Sequence, residues 1–225
     1  MLFSNPIDRL HRLIQSFVYI FVVWGLYRLI FRLPEPIEEI IFKPLVFVGA
    51  VILVERPKSW QKFFWEIWGA GDWVRAAFFG LLLGIAYMVF YAAAGLISAG
   101  GLILESAPAG QSWELFLGLG LVTAVWEEWT FTGYILKGLS QIMSNKWLAR
   151  SLTAALFALV HLPVLIFWHK FTGSVIGFQL FSLMVLGFGN AILMGYSKNL
   201  LAPIISHTLW GAAIFLFASS SPMLQ

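Results

Sequence analysis

The chain has 225 residues, 60% of them hydrophobic and only 11% charged, with a formal net charge of +3 and a mean hydropathy of +0.85. Soluble domains carry about a quarter charged residues, so a soluble globular fold is excluded and no nucleic-acid partner is expected. The absence of cysteine rules out disulfides, thiolate metal sites and a cysteine nucleophile.

Taken in chain order, Arg9 and Arg12 precede an apolar stretch as in a signal peptide, but no small-residue cleavage site follows before Trp24 and Tyr27, so the segment reads as a retained anchor. Hydropathy predicts about seven spans, at 13–33, 37–54, 74–97, 114–137, 148–168, 174–196 and 200–218. The uncharged run from Ala76 to Leu104 alone exceeds the roughly 20 residues a membrane helix needs. Span 37–54 is the shortest in apolar content and follows the turn-like "LPEPIEE". The expected fold is therefore all-α: a polytopic transmembrane helical bundle forming one integral membrane domain over residues 1–225.

With a cytoplasmic N-terminus, Arg9, Arg12, Arg56, Lys58, Lys62, Arg75, Lys137, Lys146, Arg150 and Lys198 lie inside. Arg28, Arg32, Lys43 and Lys170 fall outside, and the loop holding Glu105 and Glu114 lies outside without a basic residue. Tryptophans near span ends form interfacial belts, and "WQKFFWEIWGAGDW", residues 60–73, reads as an amphipathic anchoring helix on the cytoplasmic surface. Gly80 and Gly84 form a GxxxG pair, and Gly187, Gly189 and Gly195 let later helices approach closely.

The polar residues inside the spans carry the chemistry. Glu127 and Glu128 stand in the middle of "LVTAVWEEWTFTGYIL", residues 121–136, where a carboxylate costs several kcal/mol unless it is paired, protonated or faces a water-filled cavity. Counting along each helix from its cytoplasmic marker, Glu127, His161, His207 and Asn190 all lie roughly 12–17 Å deep, in one layer. A histidine alone in a membrane helix is as often an interhelical hydrogen bond; four polar groups at one depth suggest a buried site reached from the cytoplasmic side. A glutamate and two imidazoles can hold a zinc ion with an open position for water. They can equally activate water directly, the second histidine stabilising the oxyanion. Either route is hydrolysis, of a substrate that is itself in the bilayer. Phe157, Trp126 and Trp129 read as packing groups, and His11 and His169 as solvated or interfacial.

These residues resemble the CAAX-protease and bacteriocin-processing (CPBP or Abi) family of intramembrane proteases over about residues 113–215. The family's paired glutamates followed by Arg are similar to "EEWTFTG", Glu127 to Gly133, with Thr132 at the arginine position. Its Phe-and-His motif is matched by "FALVH", ending at His161, and its His-and-Asn motif by His207, with Gly211 at the asparagine position. The resemblance implies an intramembrane endopeptidase acting on a membrane-embedded or lipidated peptide. Glu127 and His161 would activate the water, His207 would hold the oxyanion and Glu128 would support them. Asn190 is a candidate replacement amide. The resemblance allows zinc on Glu127, His161 and His207, but no local zinc signature such as H-E-x-x-H is present, and metal-free activation is preferred slightly. Thr132 offers no cation for the carboxylates and Gly211 no amide donor. A catalytically silent membrane-binding or bacteriocin-immunity protein is therefore the alternative, with a proton-coupled transporter a more distant third reading.

Overall fold

The computed structural model describes residues 5–31, 33–99 and 112–218; Arg32, Glu105 and residues 100–104 of the uncharged stretch lie outside them. Among the described residues every regular element is helical, and each of the seven expected spans coincides with helix. Helix α1 is Pro6–Ile30, begun by the Asn5 side chain accepting from the amide of Ile7 at 3.0 Å with proline at the first position. Helix α2 runs continuously through Glu35–Ile37, a π-helical stretch Glu38–Phe42, and Lys43–Glu55, ending where Arg56 turns left-handed at φ 47°. The remaining helices are α3 (Trp60–Trp68), α4 (Trp73–Ala99), α5 (Trp113–Glu128, a π-helical Trp129–Ile135, then Leu136–Ile142), α6 (Lys146–Val160, with a π-helical tail Val164–Trp168), α7 (Gly173–Ser197) and α8 (Leu201–Ala218).

Four helical segments, Pro6–Ile30, Trp73–Ala94, Lys146–Trp168 and Gly173–Ser197, are long and apolar enough to cross a membrane, and Leu201–Phe217 is a shorter apolar helix. The chain is an integral membrane protein. Helices α2 and α5 are less apolar because they carry Glu38, Glu39, Lys43, Glu127 and Glu128, all of them buried.

The glycines act as the sequence suggested. A Cβ at Gly80 would come within 2.6 Å of the Ala202 carbonyl and one at Gly84 within 2.4 Å of Leu209, so α4 lies directly on α8, the most extensive helix pair. The main apolar core draws one or more residues from every helix, among them Leu13, Val46, Phe63, Tyr87, Ala124, Ala149, Leu183 and Ile204. Helix α3 is amphipathic as expected, burying Phe63 and Ile67 while leaving Trp60 and Trp65 exposed. Phe64 stacks on Trp129 with ring centroids 5.4 Å apart, and the Trp129 indole donates to the Phe64 carbonyl. Leu200 donates to the Trp68 carbonyl at 3.0 Å, and Asn199 to that of Gly71 at 2.8 Å, so α3 and the turn between α7 and α8 close one end of the bundle.

Candidate active site

Helix α5 places Glu127 and Glu128 at the point where its regular winding changes to π-helix, a local widening often found at functional sites. Adjacent helical residues point about 100° apart, so the two carboxylates serve different partners. Glu128, 1% exposed, accepts from Asn190 Nδ2 on α7 and His207 Nδ1 on α8, both at 2.8 Å, and from the Thr132 hydroxyl one turn along its own helix. Glu127 faces the other way, into a cavity of about 500 Å³ whose wall includes Glu127, His161 and His207. The structure thus brings together all five polar residues singled out in the spans. Only three of them line the cavity, and Glu128 and Asn190 stand behind His207.

The cation missing from the motif comes from elsewhere. Lys43 Nζ, on α2, lies 3.0 Å from Glu127 Oε1 and 2.6 Å from Glu39 Oε2 and is only 4% exposed. The Thr123 hydroxyl donates to the same Glu39 oxygen at 2.5 Å. The reading that left the glutamates without a cation is therefore corrected: Lys43 supplies the counter-charge that a buried carboxylate requires. Thr132 serves Glu128 with a hydroxyl where the motif has a guanidinium. The signal for Lys43 was a lysine within an apolar span, one of only four basic residues on the less basic side. In the sequence alone it reads only as a topology marker.

The histidine geometry follows from the atoms they bond. His161 ends the regular part of α6, and its Nδ1 lies 2.7 Å from the Phe157 carbonyl oxygen, to which it donates, leaving Nε2 as the ring nitrogen that faces the cavity. His207 Nδ1 donates to the Glu128 carboxylate, which leaves its Nε2 facing Glu127. Glu127 Oε2 lies 3.4 Å from His161 Nε2 and 3.9 Å from His207 Nε2. That oxygen is buried and has no hydrogen-bond partner among the described residues. Phe157 packs on both imidazoles, with ring centroids 4.8 Å from His161 and 5.6 Å from His207, so it is a packing group that sets their separation.

A carboxylate oxygen and two imidazole nitrogens converging on one point suit a water molecule, or a cation. The zinc set Glu127, His161 and His207 does not fit as placed. Tetrahedral ligands at about 2.0–2.1 Å stand about 3.3 Å apart, which the 3.9 Å spacing exceeds, and the Lys43 ammonium beside the same carboxylate repels a second cation. Among the described residues no group of three or more His, Asp or Glu side chains is arranged to hold a metal ion.

Away from these groups the cavity wall is mostly apolar, with Trp24, Phe47, Phe116, Trp210 and Phe215 among its members. Gly211 also lines it, and a Cβ built there meets nothing within 4 Å. Asn190 donates its amide to Glu128, so it does not stand in for the missing asparagine at the cavity wall. His169, read as solvated, is exposed and stacks on Phe171, and both line the far part of the cavity. Arg28 lies on the same wall, held by a buried ion pair to Glu38 and packed over Trp24 at 4.4 Å. From Glu127 the cavity runs toward Phe116, eleven residues back along α5, and toward Arg28, His169, Gln179 and Phe215. These lie at the end of the bundle away from Lys137, Arg150 and Lys198.

No curated protein matches the chain. Residues 109–213 match the family model described as "Type II CAAX prenyl endopeptidase Rce1-like", a stretch that contains Glu127, Glu128, His161, Asn190 and His207. Over that stretch, a little under half of the chain, the protein is similar to the Rce1-like type II CAAX prenyl endopeptidases.

Proposed function

We propose that the protein is an intramembrane endopeptidase that cleaves a peptide bond of a membrane-bound or lipidated protein with a water activated by Glu127 and His161, without a metal. The observation that carries this reading is the convergence of Glu127 Oε2, His161 Nε2 and His207 Nε2 at the head of an apolar cavity. A water held there donates one proton toward Glu127 Oε2 and the other toward His161 Nε2, leaving an oxygen lone pair for the scissile carbonyl carbon. As the carbon–oxygen bond forms, the proton passes to Glu127. Collapse of the tetrahedral intermediate breaks the carbon–nitrogen bond, and the proton goes from the Glu127–His161 pair to the departing amine. His207, oriented through Nδ1 by Glu128 and Asn190, presents Nε2 on the same wall as the oxyanion partner.

The test is cleavage of a lipidated, quenched-fluorescence peptide by purified protein in nanodiscs. Glu127→Gln should abolish cleavage while the protein keeps its melting temperature within a few degrees; full activity in that variant would remove the mechanism. Elemental analysis checks the metal-free step. Stoichiometric zinc that disappears in His161→Ala would overturn it.

A second reading, a catalytically silent membrane-binding protein, is favoured by Gly211, which leaves open space where the family motif places an amide. It predicts no cleavage by the native chain across any panel of membrane peptides.

A further inference from the structure

Lys43 is the charged group at the site that the hydrolytic reading leaves without a step of its own. Its position is set by α2. The π-helical stretch Glu38–Phe42 ends at Lys43, whose amide donates to the Glu38 carbonyl, and Glu39 stands four residues back on the same face. One Glu39 oxygen accepts both the Lys43 ammonium, at 2.6 Å, and the Thr123 hydroxyl, at 2.5 Å. Thr123 lies one turn before Glu127 on α5, so α2 and α5 are pinned together beside the glutamates, and Lys43 Nζ reaches Glu127 Oε1 at 3.0 Å. An ammonium carries three N–H groups. Glu39 and Glu127 take two, and the Trp24 ring lies 5.5 Å away; no other acceptor among the described residues is bonded to Nζ, and Lys43 forms part of the cavity wall. The Glu127 carboxylate thus has two sides: Oε1 meets the lysine, and Oε2 meets His161 and His207. A water bonded at Oε2 lies one carboxylate width from the ammonium.

We infer that Lys43 is a catalytic residue of this chain: the ammonium N–H left over by Glu39 and Glu127 receives the carbonyl oxygen of the scissile bond as the oxyanion forms. The inference rests on the hydrolytic reading above and completes it from the α2 side, while His207 acts from the α8 wall. Charge conservation supports it. Lys43, Glu39 and Glu127 together carry one negative charge before the reaction. When the proton of the water passes to Glu127, that charge leaves the carboxylate and develops on the carbonyl oxygen, beside the same ammonium. Glu39 remains ionised at Nζ throughout and keeps the ammonium protonated. A cation fixed in advance by two carboxylates needs no reorganisation at that moment, which is the condition under which such groups favour the transition state over the bound substrate. The role also answers both departures from the motifs. Thr132 brings no cation and Gly211 no amide, and Lys43, from the part of the chain outside the family match, brings a charge and a donor in one group.

The test reads anion binding apart from catalysis. A lipidated peptide and its phosphinate analogue, in which a tetrahedral anionic phosphorus group replaces the scissile amide, would be titrated into the full chain in nanodiscs. In the Glu127→Gln chain neither is turned over, and position 127 no longer needs a counter-charge. Adding Lys43→Met there should weaken the phosphinate by about 10²-fold and leave the amide peptide unchanged. With Glu127 intact, Lys43→Met should lower kcat by about 10²–10³-fold with little change in KM. Should Lys43→Met fail to fold beside Glu39, Glu39→Gln is added to both chains so that no charge is left unpaired, and the same split between phosphinate and amide is expected. Equal phosphinate affinity with and without Lys43 would overturn the proposal and leave the lysine only a counter-charge for Glu127. A parallel loss for phosphinate and amide would overturn it in favour of a packing role. Either result, in a protein whose native chain cleaves the peptide, fails the lysine alone. A native chain that cleaves nothing and binds the phosphinate no better than the amide fails the endopeptidase reading as well.

Discussion

The C-terminal part of the chain that matches the protease family and the N-terminal helices that do not contribute to the site in different ways. Residues 109–213 supply the carboxylate and the two imidazoles that converge at the head of the cavity, and they supply the Glu128–Asn190–His207 chain that orients one of them. The unmatched helices α1 and α2 supply positive charge: Lys43 on Glu127, and Arg28 on the cavity wall, each held by its own glutamate, Glu39 and Glu38. Substitutions within a motif can thus be compensated from outside it. A family match that covers only the glutamates and histidines reads Thr132 as a lost cation, when the cation has moved to another helix.

The contrast breaks first at Glu127, where the two parts meet. Glu127→Gln keeps shape and hydrogen-bonding capacity but removes the base, and a general base contributes about 10²–10⁴-fold to rate. Cleavage of the lipidated peptide should fall by at least that factor while circular dichroism stays unchanged. Equal loss in Glu127→Gln and Glu128→Gln would erase the division between a carboxylate facing the cavity and one behind it.

Lys43→Met sharpens the comparison, because it tests whether the unmatched helices belong to the centre. Removing one partner of a buried ion pair costs about 3–5 kcal/mol, since the other charge is left unpaired. The melting temperature in detergent should drop and activity should fall with it. Combined with Glu127→Gln, the same Lys43→Met change should cost less, because only one of the lysine's two carboxylate partners, Glu39, is then left charged. Additive losses in the double variant would show that Lys43 acts through Glu39 or packing and not through Glu127.

Asn190→Ala is expected to be milder. It removes one hydrogen bond to a buried carboxylate, worth about 1.5–3 kcal/mol, and releases Glu128 to reorient His207. Stability should fall by about that amount and turnover should fall with it, while Asn190→Asp, which places a third carboxylate beside Glu128, should fold worse than Asn190→Ala. An Asn190→Ala chain with unchanged thermal stability would mean that Thr132 and His207 suffice to hold Glu128.

Much of this was readable in advance because membrane spans and buried charges leave strong marks. Each expected span is helical, the shared depth of Glu127, His161, Asn190 and His207 corresponds to real convergence, and the 100° offset between adjacent residues correctly separated Glu127 from Glu128. What was not readable depends on direction. A residue count along a helix measures depth without telling which way a side chain points, so Asn190 read equally well as a cavity amide or as a partner of Glu128. Depth likewise says how far a site lies from one face without saying which face its cavity reaches. Lys43 was hidden for a related reason: in the sequence it is 84 residues from Glu127, and only the packing of α2 against α5 makes them neighbours.

The smallest expected effect on folding comes at Gly211. The position is helical and lines the cavity, and a Cβ there meets nothing within 4 Å, so asparagine can be introduced without moving a neighbour. Glycine within a helix costs about 1 kcal/mol relative to alanine, and asparagine somewhat less, so Gly211→Asn should leave stability unchanged or raise it by a few tenths of a kcal/mol. Its effect on chemistry separates the two functional readings. In an endopeptidase whose oxyanion now relies on His207, a second donor at this wall stabilises the charge that develops on the carbonyl oxygen, a contribution worth about 10²–10³-fold where such donors have been removed. Turnover of the lipidated peptide should then rise, with a smaller change in KM. In a silent binding protein the same substitution restores the motif without creating cleavage. A third outcome, a folded Gly211→Asn chain with weaker turnover and a raised KM, would show that the open space at Gly211 is filled by the substrate itself and that the family's asparagine has no role to resume here.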